Sequence, residues 1–230
     1  MKDLNEKITI LREKHQWPIN KILEECSHPL TMVELLDKIL SNDNLSLDDQ
    51  DNILKYIYEA LGEQQAYYSA YVGAHSNMCG EKLIEAVKIT SKAKGEEQAY
   101  HAADIIVDEE MSKRKEVLEL AWAISQSLGK YQAYYGSKVA KDKGVIASGH
   151  VIPLTIITCE TSEYYQAERT AMVCLNPDLI NNDNILFYAD VVSRSKNPID
   201  AKESSFIANN NFMDSHNKEL ALRKIFKGNN

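Results

Sequence analysis

The chain has little of what breaks, cross-links or anchors a polypeptide. It carries five prolines in 230 residues, with none between Ser46 and Pro153, and only nine glycines. The four cysteines, Cys26, Cys79, Cys159 and Cys174, form no CxxC pair. Such sparse use lacks the common zinc and dithiol signatures and suits buried free thiols in a reduced, cytoplasmic protein. No run approaches the roughly 20 apolar residues that span a bilayer. Charge recurs every few positions in the opening MKDLNEKITILREKHQW, so no secretion signal and no membrane association are expected. Long basic runs are missing, and the net charge is −8, which makes nucleic acid an unlikely partner because phosphate contacts need clustered Lys and Arg. Lys218, Arg223, Lys224 and Lys227 form only a short basic face near the C-terminus. No GxSxG, P-loop or GxGxxG occurs, and no internal repeat or low-complexity tract is apparent.

What is present is helical pattern. Leu4, Ile8 and Leu11 recur at helical spacing, and Trp17-Pro18 ends one short helix and starts another. Cys26 to Pro29 reads as a turn. Thr31-x-x-Glu34 then has the form of a capping box before Leu35, Leu36, Ile39 and Leu40, and Ser41 to Asn44 ends that helix. Ser46-x-x-Asp49 opens the next. From Leu47 to Asp142 apolar residues continue at helical intervals, with one persuasive break at Gly95, where Lys92 and Lys94 precede and Glu96 and Glu97 follow. That charge order favours a helix end followed by a helix start. The pattern predicts one long antiparallel hairpin with coiled-coil-like stripes. Each arm would hold up to about 48 residues, roughly 70 Å at 1.5 Å per residue. Gly62, Gly73 and Gly80 are candidate bends in the first arm, and Gly129 and Gly136 in the second.

After Gly144 the composition changes. Val151–Cys159 (VIPLTIITC), Thr170–Leu175 (TAMVCL) and Ile185–Val192 (ILFYADVV) are short, apolar and β-branched, with the turn sequences Asn176-Pro177-Asp178 and Asn181 to Asn184 flanking the last two. They predict a small sheet of about three strands, with loop from Ser193 to Asp214 and a final helix from Ser215. The expected fold is therefore α+β and mainly α. Residues 1–144 form a helical domain, short N-terminal helices plus the long hairpin, and residues 145–230 a small β-containing region ending in a helix.

Acidic residues supply the sharpest catalytic candidate. A hairpin turning near Gly95 sets Glu85 level with Asp104 and Glu81 with Asp108, and four carboxylates at one height can hold Mg²⁺ against a nucleotide pyrophosphate. The stretch from Gly80 (GEKLIEAVKI) to Asp104 resembles the all-helical nucleotide pyrophosphohydrolases of the MazG-like group, which pair ExxE with ExxD. Here the spacings are ExxxE and DxxxD. At 100° per residue the four acids lie away from the apolar stripes, which points them to solvent. His75 with Cys79, and Glu97 with His101, sit at i, i+4 but complete no metal set, so no metal or other cofactor is expected outside the Mg²⁺ alternative. Cys26-Ser27-His28 is isolated. Cys159-Glu160 and His150 offer a thiol and a base, without a surrounding signature.

Tyrosine is the oddest feature. Nine of the twelve fall within the expected hairpin: Tyr56, Tyr58, Tyr67, Tyr68, Tyr71, Tyr100, Tyr131, Tyr134 and Tyr135. The hairpin register sets Tyr131, Tyr134 and Tyr135 near Tyr56 and Tyr58. These five are the candidate interface, because a ring with a polar tip suits protein contact. With no complete catalytic set, the expected function is a non-enzymatic interaction or assembly protein whose partner is protein, most simply a second copy. The alternatives are the Mg²⁺-dependent nucleotide hydrolase and a nucleic-acid accessory protein stacking bases on tyrosines.

Overall fold

The computed structural model describes residues 29–228, and no strand occurs among them. Helices α1 (Pro29–Leu40), α2 (Leu47–Tyr58), α3 (Glu63–His75), α4 (Gly80–Ser91), α5 (Glu96–Val107) and α6 (Val117–Ser125) come first, with a 3₁₀ turn at Met111–Lys113. They are followed by α7 (Lys130–Lys141), α8 (Lys143–Ser148), α9 (Val151–Cys159) and α10 (Tyr164–Cys174). The series closes with α11 (Ile185–Ser193), α12 (Pro198–Ala208) and α13 (Ser215–Gly228).

The α+β expectation is thus overturned. The expected strands are α9, the end of α10 and α11, and the expected loop from Ser193 contains α12. Apolar β-branched runs of this length fit a buried strand or a buried helix equally well by composition. Burial separates them. Val151, Leu154, Thr155, Thr158 and Cys159 are the buried residues of α9, and Ile185, Tyr188, Ala189 and Val192 are buried in α11, with Val191 buried at the side of that face. Both sets follow the i, i+3, i+4, i+7 recurrence of one helical face.

The long hairpin fails for a related reason. The stretch from Leu47 to Lys141 is six helices, α2 to α7, interrupted by short connectors. Gly95 does end one helix pair, as expected, but Gly62 and Gly129 do the same at equivalent places. The two helices expected between Leu4 and Cys26, and the Cys26–Pro29 turn up to His28, lie outside the described residues. Helix α1 begins at Pro29, so Thr31 sits in its first turn. The Ser46–Asp49 capping box forms as expected: the Ser46 hydroxyl accepts from the Asp49 N–H at 3.1 Å, and the Asp49 carboxylate accepts from the Ser46 N–H at 3.0 Å.

The connectors reveal a repeat that composition hides. Gly62, Gly95, Gly129, Glu163 and Asn197 are the caps before α3, α5, α7, α10 and α12, spaced 33 or 34 residues apart. Three residues after each cap stand Gln65, Gln98, Gln132, Gln166 and Asp200. Each is followed by alanine: Ala66, Ala99, Ala133, Ala167 and Ala201. A fixed period of this length marks a helix–turn–helix repeat.

The glutamines explain themselves. Gln65 Nε2 donates to the Ala93 carbonyl at 3.4 Å, Gln132 Nε2 to Thr161 at 3.0 Å, and Gln166 Nε2 to Ser195 at 2.6 Å. Each reaches from one repeat to the connector of the next. Main-chain bonds run alongside them, from Leu61 N–H to Ser91 O, Lys94 N–H to Ser125 O and Leu128 N–H to Cys159 O. The glutamine head also folds back over its own cap, where a Cβ on Gly129 would lie 2.9 Å from Gln132 Oε1. At Glu163, which does carry a Cβ, φ is −124°, against −165° at Gly129, and the Glu163 N–H donates to Gln166 Oε1 at 2.9 Å.

Gln132 is 4 % exposed, so Gln132→Ala strands a buried carbonyl. Losing one such bond costs about 1–2 kcal/mol. Urea unfolding is expected to show that loss with an unchanged m-value, and no loss would mean that the glutamine ladder is incidental.

The described residues fall into two compact units, one ending at Ser125 and the other beginning at Gln126. In the first, α1, α3 and α5 pack side by side as one layer, and α2, α4 and α6 as the other. Leu36, Ile39, Ile53, Ile57, Leu83, Ile106 and Leu120 fill it. In the second, α7, α10 and α12 form one layer and α9, α11 and α13 the other, with α8 packed on α7 and α9. The buried positions of its α7, α10 and α12 layer are mostly small, among them Ala133, Ala140, Ala167, Ala171, Ala201, Ser204 and Ala208, while Leu154, Ile185 and Tyr188 are buried in the other layer. Small side chains at interlayer positions let neighbouring helices approach closely, where dispersion contacts are most numerous.

Candidate functional site

The four candidate carboxylates take separate environments. Glu81 is exposed in the first turn of α4, and Glu85 pairs with Lys88 at 2.9 Å. Asp108 caps the end of α5 and accepts from the Glu110 and Met111 N–H groups at 3.0 Å each. Asp104 lies half-buried among tyrosines. Among the described residues no group of three or more His, Cys, Asp or Glu is arranged to hold a metal ion. His75 is engaged by Lys38 at 3.0 Å and stacks on Tyr71, while His101 lies 3.9 Å from Glu97.

Cys79, Cys159 and Cys174 are free thiols. Burial, then the charge of Glu160, pushes the Cys159 thiol up to about 12, so it stays protonated at neutral pH. Burial also pushes Cys174 up to about 12. His150 is half-buried just after Gly149, whose φ of 79° makes the left-handed end of α8. Cys26-Ser27-His28 lies outside the described residues.

The tyrosines divide between the two units. Tyr56 and Tyr58 are half-buried on α2, and the long hairpin whose register would set them beside Tyr131, Tyr134 and Tyr135 of α7 does not form. A different set comes together in the first unit. Tyr67, Tyr68 and Tyr71 of α3 and Tyr100, Ala103, Asp104 and Val107 of α5 line a cleft of about 350 Å³. The Tyr68 ring meets Tyr67 edge-on at 5.2 Å and Tyr100 at 5.5 Å. Desolvation, followed by Tyr67 and the carboxylate of Glu96, raises the Tyr68 phenol above its ordinary value, so it is neutral at physiological pH.

The second unit carries several of its aromatics outward. Tyr131 and Tyr134 of α7, Tyr164 and Met172 of α10, and Ile199 and Phe206 of α12 are all exposed on neighbouring helices of one layer. Tyr131 and Tyr164 are in contact, with centroids 5.8 Å apart. Lysines lie over two of the rings, Lys130 at 5.1 Å from the Tyr131 centroid and Lys138 at 4.3 Å from that of Tyr134. A polar cavity of about 530 Å³ opens beside the connectors of the same unit, lined by Glu163, Tyr165, Gln166, Asp190, Arg194 and Lys196 among others. Asp190 and Arg194, one helical turn apart, pair in its lining at 2.7 Å.

The tyrosine cleft and the outward apolar strip were both missed as groupings. Their signal in the sequence is recurrence: Tyr67, Tyr100 and Tyr134 each stand five residues after a cap, and Met172 and Phe206 each nine. Comparison with protein-family models, with curated proteins and with solved structures gives no match. No helix among the described residues is long and apolar enough to cross a membrane.

Proposed function

We propose that the protein is a non-enzymatic assembly protein that associates with a second copy of itself through the exposed face of α7, α10 and α12. The supporting observation is the apolar strip. Ile199 is 75 % exposed, Phe206 71 % and Tyr164 57 %, and large apolar side chains recurring on adjacent helices mark a contact surface. The charges on these helices are mixed, with Lys130, Lys138, Glu168, Arg169, Lys202 and Glu203. Mixed charge suits a two-fold contact, in which each sign meets its opposite on the other copy. Sparse unpaired cysteines fit action in the reducing cytoplasm.

Light scattering on a sizing column tests the reading. The intact chain is expected to run as a defined oligomer. Phe206→Glu with Tyr164→Arg is expected to run as a folded monomer, because buried unpaired charge opposes the contact. A monomeric intact chain overturns the proposal, as does an oligomer indifferent to both substitutions.

A further inference from the structure

Three connectors of the repeat each donate one main-chain hydrogen bond to the end of a later helix. Leu61 N–H donates to the Ser91 carbonyl at 3.1 Å, Lys94 N–H to Ser125 at 2.9 Å and Leu128 N–H to Cys159 at 3.4 Å. Every donor stands one residue before a cap, and every acceptor four residues before the following cap. The same register pairs Ser162 with Ser193. Both are among the described residues, and that bond does not form. Both serines line the polar cavity of about 530 Å³. The side-chain half of the junction is kept, since Gln166 Nε2 still donates to the Ser195 carbonyl at 2.6 Å.

The difference begins at the cap. The three donors precede glycines with φ of −168°, −162° and −165°, whereas Ser162 precedes Glu163, with φ of −124°. A Cβ on Gly62, Gly95 or Gly129 would stand 2.9, 2.7 or 2.9 Å from the Oε1 of its glutamine. A cap that carries a side chain therefore rotates, and rotation there carries the preceding residue, Ser162, away from Ser193.

We infer that this cavity binds an extended peptide, whose main-chain amide takes the donor and the acceptor that Ser162 and Ser193 leave unjoined. A trans amide presents its carbonyl and its N–H in opposite directions. It therefore fits between an N–H and a carbonyl as an added strand fits a sheet edge. The volume lies in the range of small-ligand sites, about 300–1,000 Å³. Charges of both signs surround the opening, with Glu160 and Glu163 on one connector and Lys196 on the next, all exposed. Asp190 and Arg194 satisfy each other. A free peptide carries an ammonium and a carboxylate to match the exposed charges, while a segment within a longer chain offers the amide alone. The inference does not rest on self-association through α7, α10 and α12.

The test uses the full chain labelled with ¹⁵N and followed by NMR. The probes are free trialanine, the capped peptide acetyl-Ala-Ala-Ala-amide, and the capped peptide with its central amide replaced by an ester. In the chain alone, the Ser162 N–H is expected to exchange with solvent at least tenfold faster than those of Leu61, Lys94 and Leu128. Both amide peptides are expected to shift the Ser162 and Lys196 signals saturably, and the ester, which lacks one N–H, to bind at least tenfold more weakly than its amide parent. Tighter binding of trialanine identifies a free peptide as the ligand, and equal binding identifies a segment of a longer chain. Glu163→Gly restores the cap of the other junctions and is expected to slow Ser162 exchange and abolish binding of the capped peptide. Glu163→Gln removes the charge, keeps the Cβ and is expected to retain that binding. Slow Ser162 exchange in the unaltered chain overturns the open junction. No saturable shift with either amide peptide, equal binding of the ester, or binding that survives Glu163→Gly overturns the peptide site. The mass of the chain in solution enters none of these readouts, so this inference and self-association fail separately.

Discussion

Replacing Tyr188 with alanine is expected to remove about 3–5 kcal/mol of stability, the range for deleting a fully buried aromatic ring. Tyr188 is the largest side chain without solvent exposure among the described residues. It sits on the buried stripe of α11, its hydroxyl donates to the Ser215 carbonyl at 3.5 Å, and Lys218 lies 6.0 Å from its ring centroid. The ring therefore joins α11 to α13. The hydrogen bond is long, so Tyr188→Phe is expected to cost less than about 1 kcal/mol. Urea unfolding followed by circular dichroism separates these variants. A Tyr188→Ala loss below that of Tyr188→Phe would contradict the packing. Against a typical total of about 5–15 kcal/mol, that loss is a large fraction of the stability and should lower the urea midpoint markedly.

Gly73→Val is the second large effect, expected at about 3 kcal/mol from overpacking. Gly73 lies within α3, where a Cβ would stand 2.9 Å from Ile39 Cδ1 and 3.3 Å from Ile53 Cγ2. It is a close-approach glycine, with no need of unusual backbone angles. Gly73→Ala should gain about 1 kcal/mol of helix propensity and lose more than that to the clash. In an Ile39→Val background the Cδ1 atom is gone, and the alanine should then cost less, the remaining close contacts being a residue-39 Cγ at 3.2 Å and Ile53 Cγ2 at 3.3 Å. A double-mutant cycle on thermal unfolding reads the coupling directly. Additive effects would show that Ile39 and Gly73 do not touch.

Helix existence was legible wherever apolar and polar residues alternate at helical spacing. The Ser46–Asp49 box and the break at Gly95 were read from side-chain chemistry, and both hold. The C-terminal half was not legible, because α9 and α11 are apolar almost throughout. When nearly every position is hydrophobic, no pattern remains to report which face is buried. Helix α12 fails in the opposite direction. Its buried stripe, Ala201, Ser204, Ser205 and Ala208, is small and partly polar, so it carries little hydrophobic signal. Its local marks were still present: Pro198 in the first turn, and Asn197 accepting from the Ile199 and Asp200 N–H groups.

The repeat escaped notice because it rests on a cap, a glutamine and an alanine, with the intervening residues free to vary. Reading Gly95 as the single turn made Gly62 and Gly129 into bends, when all three are the same structural position. That error also scattered the candidate site. Tyr67, Tyr68, Tyr71 and Tyr100 were seen as part of a tyrosine excess, and Asp104 as one of four acids. Only the stacking of α3 on α5 brings them to one cleft, and pairing between neighbouring repeats cannot be deduced from spacing within one helix.

The most direct test of the helical-repeat architecture is the backbone ¹³Cα chemical shift along residues 151–208. Downfield helical shifts are expected over Val151–Cys159, Tyr164–Cys174, Ile185–Ser193 and Pro198–Ala208, interrupted at the connectors Glu160–Glu163, Leu175–Asn184 and Arg194–Asn197. Upfield, strand-type shifts over Val151–Cys159 and Ile185–Ser193 would contradict it, and the repeat with it.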